Sequence, residues 1–313
     1  MQYLMFIFLA VIWGSSFILM KKSGLNYPPF SLCAGRILLA ALVLYIAIKC
    51  LKTIKYKLNK TDFWTLNFVA LCTALAFTFQ PYLINKYGSG FIGIMVIFVP
   101  LITILVSVPM LKIKPTFLEL AGVLGGIGFM FMLLQDGLER DITFIDFCLA
   151  IATPVLYAVS NTYTKRSLGH IPAIHISFWI MFLSGLMVLP IALIYETVTI
   201  DDYFFEATLS LAVLAVLGTG LAAVFFFILI EKRGPLFAGM VTYLIPLGAI
   251  VWGYFDGELV SNMQLIAITG LILMVALVQW QTGKESKLAS VSHENQDSDV
   301  IDGVGPSSDT EAP

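Results

Sequence analysis

Ten stretches of mostly apolar residues, each close to the length that crosses a bilayer, follow one another along the chain with short gaps. They fall at about residues 3–20, 30–49, 64–84, 89–111, 117–134, 146–164, 174–194, 208–229, 236–254 and 263–281. A hydrocarbon core of ~30 Å takes about 20 apolar residues as a helix. Lipid offers no partner to an unpaired backbone group, so such runs close their hydrogen bonds internally. Composition points the same way: 59% of the residues are hydrophobic and 12% charged, with a mean hydropathy of +0.91. Soluble domains sit near ~45–50% and ~25%. A soluble enzyme of this make-up would expose too much apolar surface, and no polybasic stretch suits nucleic acid. The expected fold is an all-α integral membrane protein of ten transmembrane helices, with the lipid bilayer as its surroundings.

The exception is residues 283–313. They hold Lys284 and Lys287 against seven acids, are rich in Ser, Asp, Gly and Pro, and have almost nothing to bury. This reads as a disordered acidic tail. The first apolar run has no basic segment before it and no small-residue cleavage site after it, so it is expected to stay as a span.

Charge between the runs sets the orientation. With the N-terminus inside, the inner segments carry thirteen Lys and Arg, including Lys49, Lys112, Lys165, Lys232 and Lys284. The outer loops carry four, Lys21, Lys22, Lys86 and Arg140. The positive-inside rule then predicts both termini in the cytoplasm, in a plasma (inner) membrane protein.

The chain also repeats itself. A shift of 146 residues aligns 70–105 with 216–251 and matches Thr73 to Thr219, Lys86 to Lys232, Gly88 to Gly234 and Pro100 to Pro246. Apolar bias does not explain shared Lys, Gly and Pro. Near the start of each half the shift is 144, pairing Lys21-Lys22-Ser23 with Lys165-Arg166-Ser167. The body reads as two five-helix repeats, residues 1–136 and 142–282, followed by the tail at 283–313. An odd number of spans per repeat turns the second upside down relative to the first. Inverted repeats of this kind place a binding site near mid-membrane, where the halves meet.

Three stretches carry a family resemblance. They are Trp13-Gly14-Ser15-Ser16-Phe17, then Gly35-Arg36-Ile37-Leu38-Leu39-Ala40, then Glu231-Lys232-Arg233-Gly234-Pro235 through Tyr243-Leu244-Ile245-Pro246 to Gly257-Glu258. In this order, over about residues 3–281, the chain resembles the EamA-type transporters of the drug/metabolite transporter superfamily. The resemblance implies ten helices with both termini inside, a central cavity, and export or exchange of amino acids and other small metabolites.

Polar side chains inside spans mark the candidate site, because they face protein or water rather than lipid. Trp13, Ser16 and Phe17 share one helix face, as do Thr73, Phe77 and Gln80, and Tyr157, Asn161 and Thr164. A cavity between spans 1, 3, 6, 8 and 9 is expected, with Trp13, Ser16, Gln80, Tyr157, Asn161 and Tyr243 as substrate-binding residues. Arg36, the one basic residue within a span, has two readings: snorkelling to the outer headgroups, or pairing with an anion near the outer mouth. Pro100 and Pro246, shared by the repeats, are expected hinges. Gly122 and Gly126 form a close-packing seam or, less readily, a dimer face; the protein is expected as a monomer or homodimer.

The implied function is a secondary transporter, an exporter of a small metabolite such as an amino acid or amphipathic compound, working by alternating access. A sugar-phosphate or nucleotide-sugar carrier is the alternative, yet such cargo asks for several central cations and only Arg36 is available. An intramembrane enzyme is least supported: there is no HExxH, no paired mid-span aspartates and no Ser/His pair. No catalytic residue, cofactor or metal is expected. Cys33, Cys50, Cys72 and Cys148 read as small hydrophobes, without ligand spacing.

Overall fold

The computed structural model describes residues 1–50, 56–87, 98–112, 116–134 and 143–245, with a few positions between 248 and 274. Pro246, most of the tenth apolar run and the tail at 283–313 lie outside the described residues. Every regular element among the described residues is helical. In chain order these are α1 (Gln2–Ser23), α2 (Pro29–Cys50), α3 (Lys60–Tyr87), α4 (Phe98–Leu111), α5 (Phe117–Leu134), α6 (Phe144–Leu168) and α7 (Ala173–Tyr195). Then follow α8 (Phe204–Val213), a π-helical segment (Leu214–Leu221), α9 (Ala222–Gly239) and a short 3₁₀ turn (Met240–Leu244). Among the described residues six helical stretches, the last being Phe204–Leu244, are long and apolar enough to cross a membrane, and α4 and part of α5 are shorter apolar helices.

Local chemistry explains the boundaries. Thr143 caps α6 by accepting from the Asp146 N–H, which fills one of the orphan donors of a helix start. The stretch Phe204–Leu244 holds 41 residues, too many for one span. Gly234 breaks it, with φ of 87°, a backbone that glycine adopts without penalty. Pro235 follows and cannot donate its missing N–H. The break falls where the eighth and ninth apolar runs were expected to meet.

The helices interleave across the repeat. α2 packs along α7, α3 along α6 and α7, α4 against α6, and α1 against α8 and α9. Small residues let the backbones approach, as membrane helices require. Gly14 faces Gly248 so closely that a Cβ on Gly14 would sit 2.8 Å from the Gly248 Cα. Ser184 of α7 donates to the Ala70 carbonyl of α3 at 2.8 Å. Large apolar side chains such as Leu4, Ile7, Leu42, Leu193 and Ile194 face outward, the surface a hydrocarbon solvent favours. Cys33 and Cys72 are buried, whereas Cys50 and Cys148 are exposed, so only two of the four behave as core hydrophobes.

Polar links join residues before 136 to residues after 142 at both ends of the bundle. At one end Glu196 takes the backbone N–H groups of Phe30 and Ser31 at 3.0 and 2.6 Å, capping the start of α2. Nearby, Lys22 pairs with Glu206 at 2.7 Å, and Asn26 donates to Asp201 at 2.7 Å. That amide, with the Tyr203 N–H, holds the Asp201 carboxyl below the usual carboxylate range. Asp146 at the start of α6 gathers Lys86 and Tyr87 from the end of α3, each at 2.5 Å. At the other end the buried Asp62 accepts from Tyr56 and lies 3.2 Å from His170, and Arg233 donates to Gln2 at 2.7 Å.

The Gly14 contact generates a prediction. Gly14→Val forces α1 away from the segment at Gly248 and is expected to destabilise the protein by roughly 1–3 kcal/mol, the usual cost of overpacking. Thermal unfolding in detergent measures this; an unchanged midpoint contradicts the close approach.

Candidate functional site

In the middle of the bundle the helices enclose a cavity of about 120 Å³, room for several waters or a compact organic molecule. One side of the wall is built by Trp13, Ser16, Phe17 and Met20 of α1, Arg36 of α2, Thr73, Phe77 and Gln80 of α3, and Val99 of α4. The other comes from Tyr157, Ser160 and Asn161 of α6, Met181 of α7, Gly218 and Thr219 of the π-helical segment, and Ala223, Phe226 and Phe227 of α9. Thr242 and Ile245 also line it. The spacing i, i+3, i+4 in α1 and again in α6 is what turns each set onto one face.

The repeat shift organises this wall. Adding 144 carries Trp13 to Tyr157, Ser16 to Ser160 and Phe17 to Asn161. Adding 146 carries Thr73 to Thr219, Phe77 to Ala223, Gln80 to Phe226 and Val99 to Ile245. Both members of every pair line the cavity. Some pairs keep their chemistry, as Ser with Ser and Thr with Thr. Others break it: Gln80 stands opposite Phe226, and the counterpart of Arg36 is Ile180, which is fully buried and off the wall.

Several lining groups already have partners. Ser16 donates to the Ile12 carbonyl at 2.8 Å and Thr73 to that of Val69 at 2.9 Å, bonding one turn back. Thr219 donates to the Leu214 carbonyl, five residues earlier, at 3.1 Å. The wide π turn leaves the Gly218 carbonyl to the Trp13 indole N–H at 3.1 Å. With its N–H so engaged, Trp13 lines the cavity with its ring, tilted against Phe226 with centroids 5.1 Å apart. Such π segments recur at functional positions in helices.

Arg36 does not snorkel. It is 4% exposed. Its Nε donates to the Thr219 hydroxyl at 3.2 Å, its Nη1 lies 3.3 Å from the Met20 sulfur, and its guanidinium carbon sits 4.4 Å from the centre of the Phe77 ring. Among the described residues no carboxylate lies within ion-pair distance of it. No Asp, Glu, Lys or His shares the described wall. Gln80 and Asn161 are 7% and 5% exposed, and among the described residues neither amide has a side-chain hydrogen bond to protein.

Tyr243 departs from expectation. It is fully buried and off the cavity wall. Its hydroxyl donates to the Val123 carbonyl of α5 at 3.0 Å, the kind of partner a buried tyrosine needs. Gly126 makes room: a Cβ there would lie 2.8 Å from the tyrosine ring. The small-residue seam of α5 thus packs inside the chain. Pro100 falls in the first turn of α4 as described, and its expected mate Pro246 is outside the described residues. The wall also takes in α2, α4 and α7, through Arg36, Val99 and Met181, which the expected set of spans omitted. Applying the repeat shift residue by residue to Ser16 and Gln80 would have pointed to Ser160 and Phe226. Nothing in the sequence marked Met181. Among the described residues no cluster of three or more His, Cys, Asp or Glu stands ready for a metal.

Known proteins resolve what this architecture is. The model of the EamA-like transporter family matches residues 1–135 and again 145–280. The chain belongs to the EamA-like transporter family. It is thus a multi-pass membrane protein of the drug/metabolite transporter type. Similar proteins include the uncharacterized transporter YoaV of Bacillus subtilis (strain 168), 22% identical over 84% of this chain and 90% of the relative. Another is an uncharacterized transporter in the trpA 3′ region of Buchnera aphidicola subsp. Schlechtendalia chinensis, 23% identical over 88% of this chain and 92% of the relative. A crystal structure shares the fold with a TM-score of 0.76 at 16% identity, covering 90% of this chain and 98% of the other.

The two tyrosines of the candidate set separate by experiment. Tyr243→Phe removes the bond to Val123 and is expected to cost about 1 kcal/mol of stability, read from thermal unfolding, with transport rate per folded molecule unchanged. A change in rate or substrate preference at normal stability contradicts the packing role.

Proposed function

We propose that this protein is a secondary transporter that exports a small amphipathic metabolite, of amino-acid size, from the cytoplasm by alternating access. The single observation that carries the reading is the central cavity, where Gln80 and Asn161 present amides unpaired among the described residues, beside aromatic side chains. An amide inside a membrane bundle needs a partner, and a cavity that admits water and cargo in turn supplies one. Concave, mostly apolar spaces with a few convergent polar groups are the usual form of small-molecule sites.

The body is ten spans in two inverted five-helix repeats, residues 1–136 and 142–282. The doubled family match and the pairwise repetition of the cavity wall support this. Both termini are cytoplasmic, as the thirteen-to-four split of basic residues favours. The polar links at the two ends of the bundle are the contacts that open alternately, and Pro100 and Pro246 are the bends that let the fourth and ninth spans move. The substrate site comprises Trp13, Ser16, Arg36, Gln80, Tyr157 and Asn161; Tyr243 supports it from behind. A sugar-phosphate cargo is less suited, since the described wall holds a single cation.

Thiol labelling in vesicles tests the reading. With Cys33, Cys50, Cys72 and Cys148 replaced, Gln80→Cys is expected to react with a small water-borne reagent, and Tyr157→Cys likewise. Gln80→Leu is expected to alter transport rate or preference while the protein inserts normally. If neither cysteine labels from either side of the membrane, the cavity is packed core and the transporter site lies elsewhere.

A further inference from the structure

We infer that the cargo is a small organic monocarboxylate with an apolar body, and that Arg36 holds its carboxylate. The inference rests on the transporter reading above and names the class of its substrate.

The case begins with unspent hydrogen-bonding capacity. A guanidinium carries five N–H donors in a fixed fork. Arg36 uses one on the Thr219 hydroxyl and directs another at the Met20 sulfur, a weak acceptor. Its other donors have no acceptor among the described residues, although the side chain is buried. The shape that fills such a fork is a carboxylate, which takes two parallel charge-assisted bonds. Gln80 and Asn161, also buried and without a side-chain partner among the described residues, share the same space and bring further N–H groups for an oxygen.

Charge then selects among anions. The described wall offers one positive charge and no negative one. A monoanion neutralises it. A zwitterion brings an ammonium that finds neutral oxygens and aromatic faces but no carboxylate on the described wall, close to a fixed cation. A phosphate monoester brings nearly two negative charges to a site with one cation. Transfer of an uncompensated charge into a low-dielectric space is disfavoured in either case. Much of the rest of the described wall is apolar: Trp13, Phe77, Phe226 and Phe227 surround whatever body the carboxylate carries, while the hydroxyls of Ser16, Thr73 and Thr219 donate to backbone carbonyls. The repeat places Phe226 where Gln80 stands in the other half and Ile180 where Arg36 stands, so neither the amide nor the cation is mirrored, and a ligand with one polar end and one apolar end matches that asymmetry.

A head-group series on one body tests this with the full chain purified in detergent. The probes are 3-phenylpropanoate, 3-phenylpropanamide, L-phenylalanine and 2-phenylethyl phosphate, with a parallel series built on 4-methylpentanoate to vary the body. Equilibrium binding is expected to favour the carboxylate over each of the other heads by at least about tenfold, the scale of one charge-assisted bond gained over a neutral one. Arg36→Met is expected to bring the carboxylate down to the affinity of the amide and leave the amide unchanged; Arg36→Lys falls between. Equal or tighter binding of the amide, the amino acid or the phosphate overturns the proposal, as does an Arg36→Met protein that keeps the preference. If Arg36→Met does not accumulate, the head-group order on the wild-type protein decides alone. If no probe binds while Gln80→Cys still labels from water, the substrate class is wrong and the transporter reading stands; if the cysteine is silent too, both fall.

Discussion

A guanidinium buried among helices, with a hydroxyl, a thioether and an aromatic face for company, is the feature around which the described structure is arranged. A buried ion carries a desolvation cost that neutral neighbours do not fully offset. Each neighbour of Arg36 belongs to a different helix. Met20 comes from α1, Phe77 from α3 and Thr219 from the π-helical segment, so the cation ties both halves of the chain to one point. The irregular helix follows from the same arrangement. The π turn at Leu214–Leu221 brings Thr219 to Arg36 and leaves the Gly218 carbonyl to the Trp13 indole.

The bundle is interlocked, not divided. α2 lies along α7 and α3 along α6, so a helix from one half is the neighbour of a helix from the other. Polar side chains fasten the halves at both ends: Glu196 over the start of α2, Asp146 between Lys86 and Tyr87, Asp62 beside His170. These contacts sit at helix ends, where Lys86 and His170 reach water while their partners Asp146 and Asp62 are buried. The middle of the bundle is held instead by close backbone approach, as at Gly14 and Gly248.

Much of this was legible in the sequence because the bilayer simplifies the code. Apolar runs of fixed length gave the positions of α1, α2, α3, α6 and α7, and Gly234-Pro235 marked a break that the backbone at Gly234 adopts. Mid-span polar residues pointed to the cavity: Trp13, Ser16, Gln80, Tyr157 and Asn161 all line it. Tyr243 met the same criterion and lies elsewhere, because a polar side chain inside a membrane can face a neighbouring backbone as well as a cavity; only the position of Val123 distinguishes the two. Arg36 was visible as an anomaly, but its conformation was not. Whether a long cationic side chain reaches outward or inward depends on what the facing helix offers, and the π turn that presents Thr219 leaves no mark in residue spacing.

The contact between cargo and protein is open to direct measurement. Solid-state NMR in lipid, with the guanidinium nitrogens labelled with ¹⁵N and 3-phenylpropanoate labelled with ¹³C at its carboxyl carbon, reports their dipolar coupling. A bidentate pair, with N···O separations of ~2.7–2.9 Å, places that carbon within about 4 Å of the arginine nitrogens. Strong dephasing that disappears in Arg36→Lys is the predicted result. Bound ligand with no coupling to any arginine nitrogen would contradict the assignment of Arg36 as the group that holds the cargo.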